Sequence, residues 1–197
     1  MNTVSVGEVP SSLSAWYAVI ILLLAYVLSF VDRIIMSLLV IPIQQDLGIS
    51  DTQMGLLMGL AFAIFYTLVG VPIARLSDAK SRKIIVSVGI FLWSIMTAVC
   101  GLARSFIELF LARVGVGVGE AGGSPPSHSI ISDLYPKEER AGALGFYAMG
   151  IPLGIMAAYF ATASLMGSSG EDVDWRRIFI FLGLTGIGLA VVVKLVL

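Results

Sequence analysis

The chain has 197 residues, of which 58% are apolar and 13% charged, and its mean hydropathy is +0.98. A soluble domain is about 45–50% apolar and about 25% charged, so this chain has too little polar surface to coat a water-soluble globule. Its one cysteine, Cys100, lies in an apolar run, which excludes a disulfide scaffold. A balance of 12 Lys+Arg against 13 Asp+Glu, net −1, offers no basic face to nucleic acid. What remains is an all-α integral membrane protein.

Residues 1–14 form a tail without Lys or Arg, and residues 15–197 are expected to form one six-helix transmembrane unit. A spanning helix needs about 20 mostly apolar residues. Such runs fall at about 15–42, 54–76, 83–103, 106–130, 141–166 and 178–197. Pro42 and Gln44-Gln45-Asp46 end the first, and Ser50-Asp51-Thr52-Gln53 offers N-cap residues to the second. Polar connections at 77–83, 103–105, 133–140 and 167–177 separate the rest. The runs are continuous, without the strict alternation of barrel strands. The first is also too long for a signal-peptide core and has no basic residues ahead of it.

Basic residues set the orientation. With the N-terminus inside, Arg75, Lys80, Arg82, Lys83, Lys137, Arg140 and Lys194 fall on the cytoplasmic side, and only Arg104, Arg176 and Arg177 fall outside. The expected location is a cell membrane, of the bacterial inner-membrane type, with a cytoplasmic N-terminal tail. The chain stops at Val196-Leu197 within apolar sequence, so six helices are expected to be half of a larger assembly, the partner being a C-terminal six-helix half.

Two connections share a pattern. Asp78 precedes the pair Arg82-Lys83 by four residues, and Asp172 precedes Arg176-Arg177 by the same interval; each basic pair opens an apolar helix. One connection lies inside and the other outside, as two three-helix units of opposite topology would place them, a repeat common in secondary transporters.

Ionisable side chains within a span cost about 2.5–3.5 kcal/mol each on insertion scales. Asp32 and Arg33 in the first span, and Arg113 and Glu120 in the fourth, carry that cost. Unpaired, the four would cost roughly 10 kcal/mol, so they are expected to pair or to face a wet cavity. At about 1.5 Å per residue, Asp32 lies roughly 15 Å and Arg113 roughly 10 Å below the outer surface, close to level. Glu120 lies roughly 21 Å down, near the midplane, on the same helix face as Arg113. Arg113 is two turns away and no second basic group of that helix is near, so Glu120 is expected to lack a fixed partner. Desolvation works against its charge, which makes it a natural proton carrier. Arg33 points about 100° away from Asp32 and can reach toward the outer water.

Gly117, Gly119 and Gly122 formally spell GxGxxG, but no strand precedes them, so the dinucleotide reading fails. These glycines, and Gly145, Gly150 and Gly154 of the fifth span, allow close helix contact, while Pro125-Pro126 bends the fourth span. His128, the sole histidine, sits between Ser127 and Ser129 and reads as a hydrogen-bonded packing residue. Ser127-His128 is too local a pair for an intramembrane hydrolase, and neither HExxH nor a GxGD acid pair occurs. No enzymatic activity, metal site or cofactor is expected. Trp16, Tyr17 and Trp175 read as interfacial belt residues.

These features resemble the N-terminal half of a major facilitator superfamily transporter. The stretch Ala74-Arg75-Leu76-Ser77-Asp78-Ala79-Lys80-Ser81-Arg82-Lys83 is similar to the family's GxLaDrxGrkx loop: Leu76, Asp78, Arg82 and Lys83 match, whereas Ala74, Ala79 and Ser81 depart from it. Arg113-x-Gly115-x-Gly117-x-Gly119 resembles the helix-4 motif with its buried Arg, and Asp133 through Arg140 fits the loop that follows. Phe30-Val31-Asp32-Arg33 with Gly117-Val118-Gly119-Glu120-Ala121 is similar to the spinster-like branch.

That resemblance implies a proton-coupled carrier of a lysolipid or sphingoid phosphate working by alternating access, or else a carrier of small organic anions with the same fold. Protons, membrane lipids and the lipid-like or organic anion are then its partners. The resemblance makes Asp32 and Glu120 the proton-titrating pair and Arg113, with Arg33, the anion-binding group. Asp78, Arg82, Lys83 and Arg140 become the inner-loop gating motif. Physically, such a loop acid and its basic partners can cap helix ends and bind across a half-interface.

Overall fold

The computed structural model of the chain describes residues 12–79, 81–165 and 174–197. The expectations made for the tail ahead of Ser12, for Lys80, for Asp172 and for the side chain of Asp78 lie outside the described residues. Ten helices occur among the described residues: α1 Ser12–Leu38, α2 Val40–Leu47, α3 Asp51–Met58, α4 Leu60–Ala79, α5 Arg82–Cys100, α6 Phe106–Glu120, α7 Ser124–Leu134, α8 Lys137–Ala148, α9 Gly150–Leu165 and α10 Trp175–Val196. Five stretches are each long and apolar enough to cross a membrane: Leu13–Leu38, Asp51–Ser77, Arg82–Cys100, Lys137–Ser164 and Trp175–Val196. The expected run at 106–130 is instead divided between α6 and α7, each too short to cross alone.

The interruptions have local causes. Pro42 lacks an N–H, and its ring crowds the carbonyl four residues back, that of Leu38. The first span breaks there, with Leu39 at φ −102° and ψ 16°, and continues as α2 until Gly48 closes it in the left-handed region at φ 63°. Gly59 bends the second span without breaking its ladder, accepting from Ala63 N–H and donating to Gly55. Ala121–Gly123 form a turn between α6 and α7, and Pro125 and Pro126 sit in the first turn of α7, where a missing N–H costs nothing. The polar stretch 133–140 is mostly helix. Pro136 caps α8, and Glu138 and Glu139 occupy its first turn, where acidic side chains complement the helix dipole. Ser50 and Gln53 form a reciprocal capping box that starts α3 at Asp51, three residues ahead of the apolar run.

The pairing of spans follows one rule. α5 packs on α10 and α6, α1 packs on α9 and α10, and α4 packs on α6. Exchanging the first three spans with the last three maps this set of pairings onto itself. The same exchange relates the interrupted spans (first with fourth, second with fifth) and the continuous helices α5 and α10.

Ion pairs at the helix ends follow the exchange as well. Arg82, opening α5, pairs with Asp133 at the end of α7; Arg176, opening α10, pairs with Asp46 at the end of α2 at 2.6 Å. These lie on opposite faces of the bundle, as two units of inverted topology require. Trp175 is buried beside the second pair and donates its indole N–H to Asp46 at 3.2 Å, so it is a packing residue and not an interfacial one. Trp16 and Tyr17 are 43% and 61% exposed.

Close approach of α5 to α6 depends on absent side chains. A Cβ at Gly119 would stand 2.8 Å from Trp93 Cα, and one at Gly89 would stand 2.9 Å from the Gly119 carbonyl oxygen. Gly119→Ala is therefore expected to destabilise the bundle by about 1–3 kcal/mol through overpacking. Gly188→Ala, with nothing within 4 Å of the new Cβ, leaves stability unchanged or slightly raised. Thermal unfolding in detergent micelles compares the two, and equal midpoints would contradict the contact.

Candidate functional site

Asp32 and Arg33 lie on α1, and Arg113 and Glu120 on α6. On α6 the two charged residues are seven apart, one above the other on one face; on α1 they are adjacent and splayed by about 100°. The helices run antiparallel, and side chains lean toward the N-terminus of their own helix. Arg33 therefore leans along α1 toward the level of Glu120, and Glu120 leans back to meet it.

Two ion pairs between α1 and α6 result. Arg113 Nη1 donates to Asp32 Oδ2 at 3.2 Å, and Thr97 of α5 donates its hydroxyl to Asp32 Oδ1 at 3.0 Å. Arg33 Nε donates to Glu120 Oε2 at 2.6 Å, its Nη2 pairs with the same oxygen, and the Ser29 hydroxyl donates to it at 2.9 Å. Asp32, Arg113 and Glu120 are each 2% exposed, whereas the Arg33 side chain is 26% exposed. Glu120 thus has a fixed basic partner, contrary to expectation, and that partner is Arg33, which turns to a carboxylate and not to the outer water. Sequence spacing missed the contact because it compares residues within a helix, while this one depends on the reach of a long side chain between helices.

Aromatic rings complete the surroundings. The Arg33 guanidinium lies 4.7 Å from the Phe62 ring centroid, 5.1 Å from Phe30 and 5.2 Å from Tyr66; Arg113 lies 5.8 Å from the same Phe62 ring. One ring of the second span therefore contacts both guanidinium groups through their π-face attraction. Two polar atoms are left over: Arg113 Nε and Glu120 Oε1 are buried and have no hydrogen-bond partner among the described residues. Each ion pair retains an unused hydrogen-bonding position.

Ser29 and Thr97 were not legible as site residues. Ser29 precedes Arg33 by four, hence one turn along the same face, which is the signal that could have found it. Thr97 had no such signal beyond being polar in an apolar run. Of the loop residues, Arg82 pairs with Asp133, Lys83 lies in the first turn of α5 with its carbonyl accepting from Ser87, and Arg140 Nη2 donates to the Tyr135 carbonyl at 3.5 Å. These contacts stay among helix ends of the bundle and do not reach the buried charges.

A helical bundle of interrupted and continuous spans, with charges buried between them, is a multi-pass membrane protein of the transporter class. Residues 22–197 match the Major Facilitator Superfamily, and the chain belongs to that family, in its spinster-like branch. The crystal structure of a bacterial homolog of the human lysosomal transporter Spinster, inward-facing and unoccupied, superposes with a TM-score of 0.88 at 39% identity, covering 95% of this chain and 44% of that one. The sphingosine-1-phosphate transporter SPNS2 of Mus musculus is 36% identical over 79% of this chain and 28% of its own length. A probable L-galactonate transporter of Escherichia coli is 31% identical over 88% of this chain and 37% of its own. The chain spans about two-fifths of the length of such relatives or less. Fold and relatives are those of transporters and not of enzymes.

Removing one member of the buried pair strands the other. Arg113→Leu is expected to destabilise the bundle by about 3–5 kcal/mol, because Asp32 is left buried without a counter-charge. The double variant Asp32→Asn/Arg113→Gln recovers most of that loss, and Thr97→Val costs only about 1 kcal/mol. Thermal unfolding of the three variants tests this; a double variant as unstable as Arg113→Leu would contradict it.

Proposed function

We propose that the chain is the N-terminal half of a proton-coupled secondary transporter that moves an amphipathic anion, such as a lysophospholipid or sphingoid phosphate, by alternating access. It works with a second six-helix half in a cell membrane, N-terminus in the cytoplasm. The observation that carries this reading is the pair of ion pairs between α1 and α6, in which each guanidinium is neutralised by a carboxylate able to take up a proton.

The chemistry follows from charge balance. With both pairs intact the site is neutral and offers an anion no free charge. A proton on Glu120 cancels its side of the pair with Arg33, and the freed guanidinium becomes a binding group for a phosphate or carboxylate. Arg113 and Asp32 act in the same way at the more fully buried pair. Proton and anion therefore load together, and the loaded and empty sites are both close to neutral, the condition for crossing the low-dielectric interior. Phe30, Phe62 and Tyr66 around Arg33 give an apolar tail a surface next to the charged headgroup. Asp78, Arg82, Lys83 and Arg140 act at the cytoplasmic face, Arg82 already engaged with Asp133. Two states whose helix-end contacts form and break are biased by ligand and proton, as population shift requires.

The lipid reading draws on the apolar setting of Arg33 and on a relative that carries sphingosine-1-phosphate. A carrier of small organic anions is the second reading, favoured by the likeness to a probable L-galactonate transporter.

Flux of a lysophosphatidic acid across proteoliposomes of the full-length protein, with and without a pH gradient, tests the proposal. Uptake is expected to follow the gradient, and Glu120→Gln to lose that response. A gradient response unchanged in Glu120→Gln would sink the coupling role. Galactonate competing where lysophosphatidic acid does not would replace the lipid reading by the second one.

A further inference from the structure

His128 is used by nothing described so far. It is exposed on α7, eight residues beyond Glu120 toward the face from which α1 starts. Its Nδ1 lies 2.8 Å from the Ser124 carbonyl oxygen. A carbonyl only accepts, so Nδ1 carries the hydrogen and Nε2 is the nitrogen left to exchange protons. The ring stands edge-on to Tyr147 at 5.1 Å, and Tyr147 in turn stacks on Tyr26 at 4.6 Å.

Behind these rings lies a narrow cleft in the bundle, whose polar lining is Tyr26 and Ser29 of α1, Ser124 and Ser127 of α7, and Tyr147 of α8, beside apolar residues of α1 and α5 that include Trp93. Five of the eleven lining residues thus carry a hydroxyl. Ser29 of this lining is already bonded to Glu120, whose second oxygen is buried with no hydrogen-bond partner among the described residues. Ser127, 3% exposed, gives its hydrogen to the Gly123 carbonyl at 2.7 Å and so presents an oxygen as acceptor. Hydroxyl groups both donate and accept, so a file of them can pass a proton where an apolar wall cannot.

We propose that this cleft, with His128 set against its lining residues Ser124 and Tyr147, is the path along which protons reach Glu120. His128 takes a proton from water at Nε2 and releases it from the same nitrogen to the hydroxyl file; Ser29 delivers a proton to Glu120, and the carboxylate becomes a carboxylic acid. Only N–H and O–H bonds change, and one proton enters for each that arrives. The inference rests on Glu120 being the proton carrier. Around Glu120 stand Arg33, Asp32, Ser29 and Tyr26 of α1, with Arg113 of α6 paired to Asp32 and Tyr66 of α4 against Arg33. The competing entrance is the partly exposed side of Arg33, where the positive guanidinium repels an incoming proton.

Time-resolved infrared spectroscopy of the full-length protein in phosphatidylcholine vesicles tests the path without needing transport. After a downward pH jump the protonated-carboxyl stretch grows in, and the component missing in Glu120→Gln reports Glu120. In His128→Ala that component is expected to rise about a hundredfold more slowly, the lower end of what a positioned proton-transfer group contributes. Its final amplitude stays the same, and added imidazole restores the rate. Tyr147→Phe, which keeps the ring and removes the hydroxyl, slows the rise as well. An unchanged rate in both variants overturns the path while leaving Glu120 as carrier. A spectrum unaltered by Glu120→Gln overturns the carrier and, with it, the path.

Discussion

Charge in a medium that cannot solvate it governs this bundle. Four ionised side chains left alone in hydrocarbon would cost roughly 10 kcal/mol. Two opposite charges about 4 Å apart recover about 4 kcal/mol at an effective dielectric near 20. Two ion pairs between α1 and α6 therefore bring the sum back to a small residue, which the bonds from Ser29 and Thr97 reduce further. Neither helix can shift by a turn past the other without stranding both acids. The pairs thus fix the register of the first span on the fourth, and any event that neutralises one carboxylate loosens it.

The inverted repeat decides which helices feel that event. α5 and α10 are continuous, pack on each other, and hold the helix ends of the fourth and first spans through Arg82–Asp133 and Arg176–Asp46. The charged residues sit on the interrupted spans, Asp32 and Arg33 on α1 and Arg113 and Glu120 on α6, and Glu120 is the last residue of α6 before the Ala121–Gly123 turn. A carboxylate at a helix break is coupled to the one place in its span where the backbone can change direction without losing a helical ladder. Clamped ends on a rigid frame, with a paired carboxylate at the break, are what the proposed coupling needs to convert a local change of charge into helix movement.

Much of this was legible in the sequence. The membrane-spanning all-α character and the four charges within the spans are local or periodic features, and Asp32 with Arg113 follows from depth alone. The pairing of Arg33 with Glu120 was not, because it depends on the lean of two long side chains on antiparallel helices. Nor was the division of the fourth span: glycines in a membrane helix serve close packing as often as they end a helix, and here Gly119 packs against Trp93 while Gly122 and Gly123 lie in the turn. Trp175 shows the same limit from the other side. An indole near a span end satisfies an interfacial pattern and a buried hydrogen bond equally well, and only the position of Asp46 at 3.2 Å separates them.

Counting protons as the anion binds tests the account most directly. Titrating lysophosphatidic acid into the detergent-solubilised full-length protein, in weakly buffered solution with a pH indicator, is expected to draw about one proton from the medium per anion bound at Glu120 and Arg33. Binding with no proton taken up, or with protons released, would mean that the guanidinium is not held in reserve by its carboxylate, and the coupling described above would not exist.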